Sequence, residues 1–129
     1  MQIEIDYILT NLKIISLVTI NQKVCIYKGH LQIDYTPLQF IKRWFNRDSR
    51  ESLICFLNDL INKINELFKA SKGKNLDSIC SILNEMDKIN NGINNLKITY
   101  NNDPIIVVKL DTISLHLKSL SAFGRTLLI

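Results

Sequence analysis

LICFLNDLINKINELF, residues 53–68, decides how this chain is read. Leu53, Leu57, Leu60, Ile64 and Leu67 recur at steps of four, three, four and three, and Ile54, Ile61 and Phe68 widen the same stripe. That rhythm is the 3.6-residue period of an α-helix with one apolar face, broad enough to pack on more than one neighbour. Asp48, with Glu51 three residues on, forms a capping box whose carboxylates take backbone N–H groups left free at a helix start, so the helix is predicted to begin near Ser49. KASKGKN, residues 69–75, closes it with Gly73 as the stop.

Working back toward the N-terminus, TPLQFIKRWF (36–45) carries Pro37 where a first helical residue tolerates a missing N–H, which predicts a brief helix over 37–45. Before it, KVCIY, KGH and LQIDY alternate Val24 with Ile26, and Leu31 with Ile33 and Tyr35, around Gly29. Period-two alternation on both sides of a glycine predicts a β-hairpin over about 23–35. Residues 4–17 place Ile5, Ile8, Leu9, Leu12 and Ile15 on one helical face, with Glu4, Asp6, Asn11 and Lys13 assigned mostly to the other.

Working forward, Leu76, Ile79, Leu83, Met86 and Ile93 predict one helix over about 76–98, bent or frayed where Asn90, Asn91 and Gly92 weaken its middle. YNNDP (100–104) interrupts the pattern, and Asp103 followed by Pro104 signals a new helix start. The last helix steps through Ile106, Leu110, Ile113, Leu117 and Leu120. Helical seams joined by short connections imply antiparallel packing, so the expectation is a mainly α chain, one antiparallel helical domain over 1–129 with a single small hairpin near its N-terminus.

The 129 residues carry a net charge of +4, with lysines interleaved among acids, which a solvated helical surface explains without a polyanionic partner. Ile, Asn and Lys abound while alanine occurs only as Ala70 and Ala122, a bias expected of an AT-rich genome. IISLVTI (14–20) and PIIVV (104–108) fall far short of the roughly 20 apolar residues that span a bilayer, so no membrane span is expected. The acids near the N-terminus argue against a secretory leader, and Cys25, Cys55 and Cys80, an odd number among apolar neighbours, read as buried reduced thiols of a protein that is not secreted.

His30 and His116 are the only imidazoles, and neither belongs to a motif that pairs a nucleophile with a base. His30 reads as an exposed turn residue. Cysteine and histidine spacings match no zinc pattern, and no phosphate-cradling glycine loop occurs, so neither enzyme activity, metal nor cofactor is expected. Positive charge gathers at Lys42, Arg43, Arg47 and Arg50, beside Trp44 and near the start of the long helix, whose free N–H groups favour anions. That corner is a candidate site for a phosphate or for a stacked base. The simpler reading is a packed Trp44 with arginines paired to Asp34, Asp48 or Glu51.

Two blocks carry a resemblance: LQIDYTPLQFIKRWFNRDSRESLICFLNDL (31–60), with Tyr35, Gln39, Arg43-Trp44 and Ser49-Arg50, and GINNLKITYNNDPIIVVKLDTI (92–113). Together they resemble a family of small uncharacterised proteins encoded by nucleocytoplasmic large DNA viruses, over roughly residues 5–120. The resemblance implies a viral protein acting in the host cytoplasm, at virus factories, or in the virion. It transfers no catalytic role to any residue. The expected function is therefore that of a non-enzymatic structural or interaction protein, virion- or capsid-associated or an assembly factor, with other viral proteins or a second copy as partner. The alternative is nucleic-acid binding through the Lys42 to Arg50 corner, at most weak and nonspecific. AFGRTLLI (122–129) adds a candidate docking tail, because Phe123, Leu127, Leu128 and Ile129 are apolar around an expected glycine stop at Gly124.

Overall fold

The long apolar stripe of 53–68 does form a single helix. The computed structural model describes residues 5–33, 49–70 and 76–127. In chain order these hold α1 (Ile5–Ser16), β1 (Val24–Tyr27), β2 (His30–Ile33), α2 (Ser49–Ala70), α3 (Leu76–Asn84), α4 (Met86–Thr99) and α5 (Pro104–Leu127). The chain is mainly helical with one antiparallel hairpin near the N-terminus, as the periodicities predict. The brief helix over 37–45, Trp44, the capping box at Asp48 and the stop at Gly73 lie outside the described residues.

The core is built from the seams. Leu53, Phe56, Leu57, Leu60, Ile64 and Leu67 of α2 are buried, as are Ile106, Leu110, Ile113, Leu117 and Leu120 of α5, and the two helices share the most extensive contact between elements. Each large aliphatic side chain withdrawn from water in this way stabilises the fold by about 1.5–3 kcal/mol. α1 lies on the other side of the core, where Ile8, Leu12 and Ile15 face α3, α4 and β2. The Lys97–Asp111 ion pair and the Ser114–Asn90 hydrogen bond match rising positions on α5 to falling ones on α4, so these two run antiparallel about the turn at Tyr100–Asp103. That turn is closed by Asp103 N–H donating to the Tyr100 carbonyl at 2.9 Å, and Asp103 then supplies the carbonyl that Val107 N–H bonds at 3.1 Å, where the Asp-Pro signal predicts the helix start.

The hairpin pairs Val24 with Ile33, Cys25 with Gln32, Ile26 with Leu31 and Tyr27 with His30. Two residues make its turn, Lys28 at φ 51° and Gly29 at φ 81°. Two successive left-handed residues give the turn the same twist as the strands it joins, and glycine adopts that conformation without a Cβ clash. Both open edges of this two-stranded ribbon are met by polar side chains. Tyr100 Oη accepts from Val24 N–H at 3.1 Å and donates to the Val24 carbonyl at 3.3 Å, while Leu31 N–H donates to Asn11 Oδ1 at 2.9 Å.

Asn11 corrects the sequence expectation. The sequence pattern places it with the residues mostly on the polar side of the first helix, yet it is fully buried among Ile8, Leu12 and Ile15. Its Nδ2 donates to the Tyr7 carbonyl at 2.8 Å, so both ends of the amide are bonded and burial leaves neither orphaned. The cysteines are a second correction, since Cys55 is exposed and Cys25 and Cys80 are only half-buried. Their sequence neighbours are apolar, but Cys25 stands on the hairpin face opposite Val24 and Ile26, where it meets Gln32, and Cys55 falls between the buried positions of α2.

A third correction concerns 76–98. The helix does break, but at Glu85 rather than at Asn90–Gly92. Glu85 has φ −101° and ψ 5°, and its N–H bonds the Ile82 carbonyl at 3.2 Å, a three-residue closure that ends α3 and redirects the chain into α4. Asn90, Asn91 and Gly92 stay helical because tertiary contacts outweigh their weak propensity: Gly92 is buried where α4 crosses the end of α1, and nearby Asn95 Nδ2 donates to the Val18 carbonyl at 2.9 Å. The glycine expected to stop the last helix does not do so either, for α5 continues through Gly124 to Leu127. An interior glycine weakens a helix by only about 1 kcal/mol relative to alanine, which the preceding turns of α5 absorb.

Candidate interaction surface

α5 is apolar on two faces. Its core face carries the seam from Ile106 to Leu120, while on the outer face Ile105, Val108 and Leu115 are 49%, 59% and 62% exposed. These three share one spacing: from Ile105, steps of three, four, three, four and three reach Val108, Thr112, Leu115, Ser119 and Ala122. The stripe therefore follows a heptad rhythm along the outside of the helix. Its two hydroxyls bond their own helix, Thr112 Oγ1 donating to the Val108 carbonyl at 2.8 Å and Ser119 Oγ to the Leu115 carbonyl at 3.2 Å. Asp111 and Lys118 border the stripe on one side, and Asp111 is ion-paired with Lys97 of α4.

Of the basic corner expected from sequence, Lys42, Arg43, Trp44 and Arg47 lie outside the described residues, and Arg50 in the first turn of α2 is described. Arg50 reaches across to the start of α5. Its Nε donates to Asp103 Oδ2 at 2.6 Å and one terminal nitrogen to Asp103 Oδ1 at 3.1 Å, a two-pronged pairing of guanidinium with carboxylate. The other terminal nitrogen donates to Glu51 Oε1 at 3.3 Å. Through the shared hydrogen bonds, above all, Arg50 holds the Asp103 carboxyl below the usual carboxylate range, and Asp103 holds Arg50 still more firmly charged. Glu51 was among the partners expected for this cluster; Asp103, 53 residues away, was not. Of the expected tail, Phe123 and Leu127 belong to the last turns of α5, and Leu128 and Ile129 lie outside the described residues.

A second surface feature sits at the elbow between α3 and α4. There a depression of about 350 Å³ is walled by Leu9 and Leu12 of α1 with Ile82 and Ile89, and rimmed by Thr10, Lys13, Ser81 and Glu85. Glu85 Oε2 stands 4.0 Å from Lys13 Nζ and 3.8 Å from Lys88 Nζ, which ties the elbow to α1 by charge. His30, exposed beside the hairpin turn, rests its ring 5.5 Å from that of Tyr7, with Asn11 Nδ2 3.5 Å from its Nδ1. His116 is half-buried on α5.

Among the described residues, no three or more of the His, Cys, Asp and Glu side chains gather as a metal site would require, and no helix is long and apolar enough to cross a membrane. On the outer face of α5, large aliphatic side chains stand in water on a regular helical stripe. Compared with models of protein families, with curated proteins and with solved structures, the chain matches none.

Proposed function

We propose that this chain is a non-enzymatic structural or interaction protein of a large DNA virus, associated with the virion or capsid or acting in its assembly. The observation that carries the interaction role is the outer stripe of α5, which leaves Ile105, Val108 and Leu115 about half or more in water on a helix whose opposite face is already committed to the core. Covering such a stripe recovers about 25 cal/mol for each Å² of apolar surface, a driving force for docking. The viral setting is supported by the resemblance of residues 31–60 and 92–113 to proteins of that virus group. Binding of nucleic acid through Lys42 to Arg50 has less support, because the guanidinium of Arg50 is already engaged by two carboxylates.

The test is to infect cells with virus expressing a tagged copy, purify particles and assembling capsids on a gradient, and identify the chain by mass spectrometry. Co-sedimentation with particles or capsids is expected. Absence from both, together with a salt-sensitive shift of polynucleotide by the purified protein, would replace this reading with the nucleic-acid one.

A further inference from the structure

We infer that the outer face of α5 is the contact between two copies of this chain, packed antiparallel about a two-fold axis that passes between Thr112 and Leu115. The inference rests on reading the chain as an interaction module and names the partner that its surface fits.

The stripe has a polarity of size. Its large members, Ile105, Val108 and Leu115, gather toward the N-terminal half, while Ser119 and Ala122 are small and continue it. When two such helices run antiparallel with heptad packing, each residue of one heptad position faces the other position on its mate. Here that places Ile105 opposite Ala122 of the second copy, Val108 opposite Ser119, and Leu115 opposite Thr112. Every large side chain then meets a smaller one, the alternation that lets layers interdigitate without voids. A parallel pair would instead set Ile105 on Ile105 and Ala122 on Ala122, wide at one end and hollow at the other.

Charge selects the same arrangement. Asp111 and Lys118 occupy the same flank of the stripe, one heptad apart. In an antiparallel pair this flank meets its own copy, so Asp111 of each chain lies beside Lys118 of the other, twice over by symmetry. In a parallel pair the two residues stay about 10 Å apart along the axis, and neither finds its complement. Asp111 already has Lys97 beside it, so a second lysine completes a small alternating network at the rim rather than isolating a charge.

The experiment is light scattering and sedimentation of the purified full chain from micromolar to millimolar concentration. A dimer is expected, weakened about tenfold or more by Leu115→Arg, which sets a charge at the centre of the contact. Because Leu115 is exposed in the single chain, that variant should keep its circular dichroism and melting temperature at concentrations where both proteins are monomeric. Lys118→Asp should weaken the dimer by facing Asp111 with a like charge, and adding Asp111→Lys, with Lys97→Asp to keep the ion pair within the chain, should restore it. A wild-type chain that stays monomeric throughout, or a dimer indifferent to Leu115→Arg, overturns the inference. A dimer that Leu115→Arg breaks but the charge exchange does not rescue overturns the antiparallel pairing. These outcomes are read on purified protein, so a monomer that still sediments with particles would remove the self-contact and leave the proposed function standing.

Discussion

A Cβ placed on Gly92 would lie 1.8 Å from the carbonyl oxygen of Ile15, so at this point α4 and the end of α1 approach backbone to backbone. Alanine favours helix over glycine by about 1 kcal/mol, and in an open helix Gly92→Ala would stabilise. Here the obstruction is main chain, not a flexible side-chain end. Gly92→Ala is expected to destabilise by about 1–3 kcal/mol in urea denaturation, with larger residues worse. A more stable variant would mean that the two helices stand further apart.

Asn11 is the only buried polar side chain among the described residues, and it holds the hairpin against α1 through Leu31 N–H. Asn11→Ala removes the acceptor and leaves that amide without its partner, a loss of about 1–3 kcal/mol. Hydrogen exchange should report the same event locally, with the Leu31 amide losing protection by more than its neighbours in α1. Equal protection in both proteins would show that another group takes over.

Tyr100→Phe tests the opposite edge of the hairpin. The ring stays and only the hydroxyl is lost, so the change removes the two hydrogen bonds at Val24. About 1 kcal/mol or somewhat more is expected, because those groups are partly buried. Unchanged stability in denaturation would assign Val24 to water instead.

The pairing of Arg50 with Asp103 carries a pH dependence whose sign follows from its direction. Asp103 is held below its ordinary range in the folded chain, so its ionised form favours folding. The contribution is present above the unfolded carboxyl range, about pH 4, and fades as pH falls through the lower folded value. Asp103→Asn keeps a side chain suited to a helix start but cannot take the charge of Arg50. The gap in melting temperature between wild type and Asp103→Asn should therefore be widest near neutrality and close in acid. A gap independent of pH would assign the effect of Asp103 to its capping geometry alone.

The parts of this fold that sequence made legible are those governed by local rhythm. The seams of α2 and α5, the face of α1 bearing Ile8, Leu12 and Ile15, the hairpin and the Asp103-Pro104 start all follow from spacing and turn chemistry. What escaped depends on groups far apart in the chain. Asn11 looked polar because only the amide of Leu31, 20 residues on, explains its burial. Gly92 looked like a flaw because its purpose lies on Ile15. Arg50 and Asp103 meet only when α2 and α5 pack. The outer stripe of α5 was within reach, since Ile105, Val108 and Leu115 keep heptad spacing, but the stronger seam beside it accounted for the apolar residues of that helix and hid the second period.

The covered edges of the hairpin bear on how another protein can read this one. A two-stranded ribbon ordinarily offers its outward amides and carbonyls as a template on which a foreign strand can add. Here the phenol of Tyr100 and the amide of Asn11 occupy Val24 and Leu31, one on each strand, and an incoming main chain must expel them before it can pair. Recognition through backbone is thereby discouraged on both sides, and with it the runaway stacking of strands that such ribbons invite. The helical faces are the surfaces left open to side-chain recognition, where a single substitution can abolish a fit and selection can act on specificity one residue at a time.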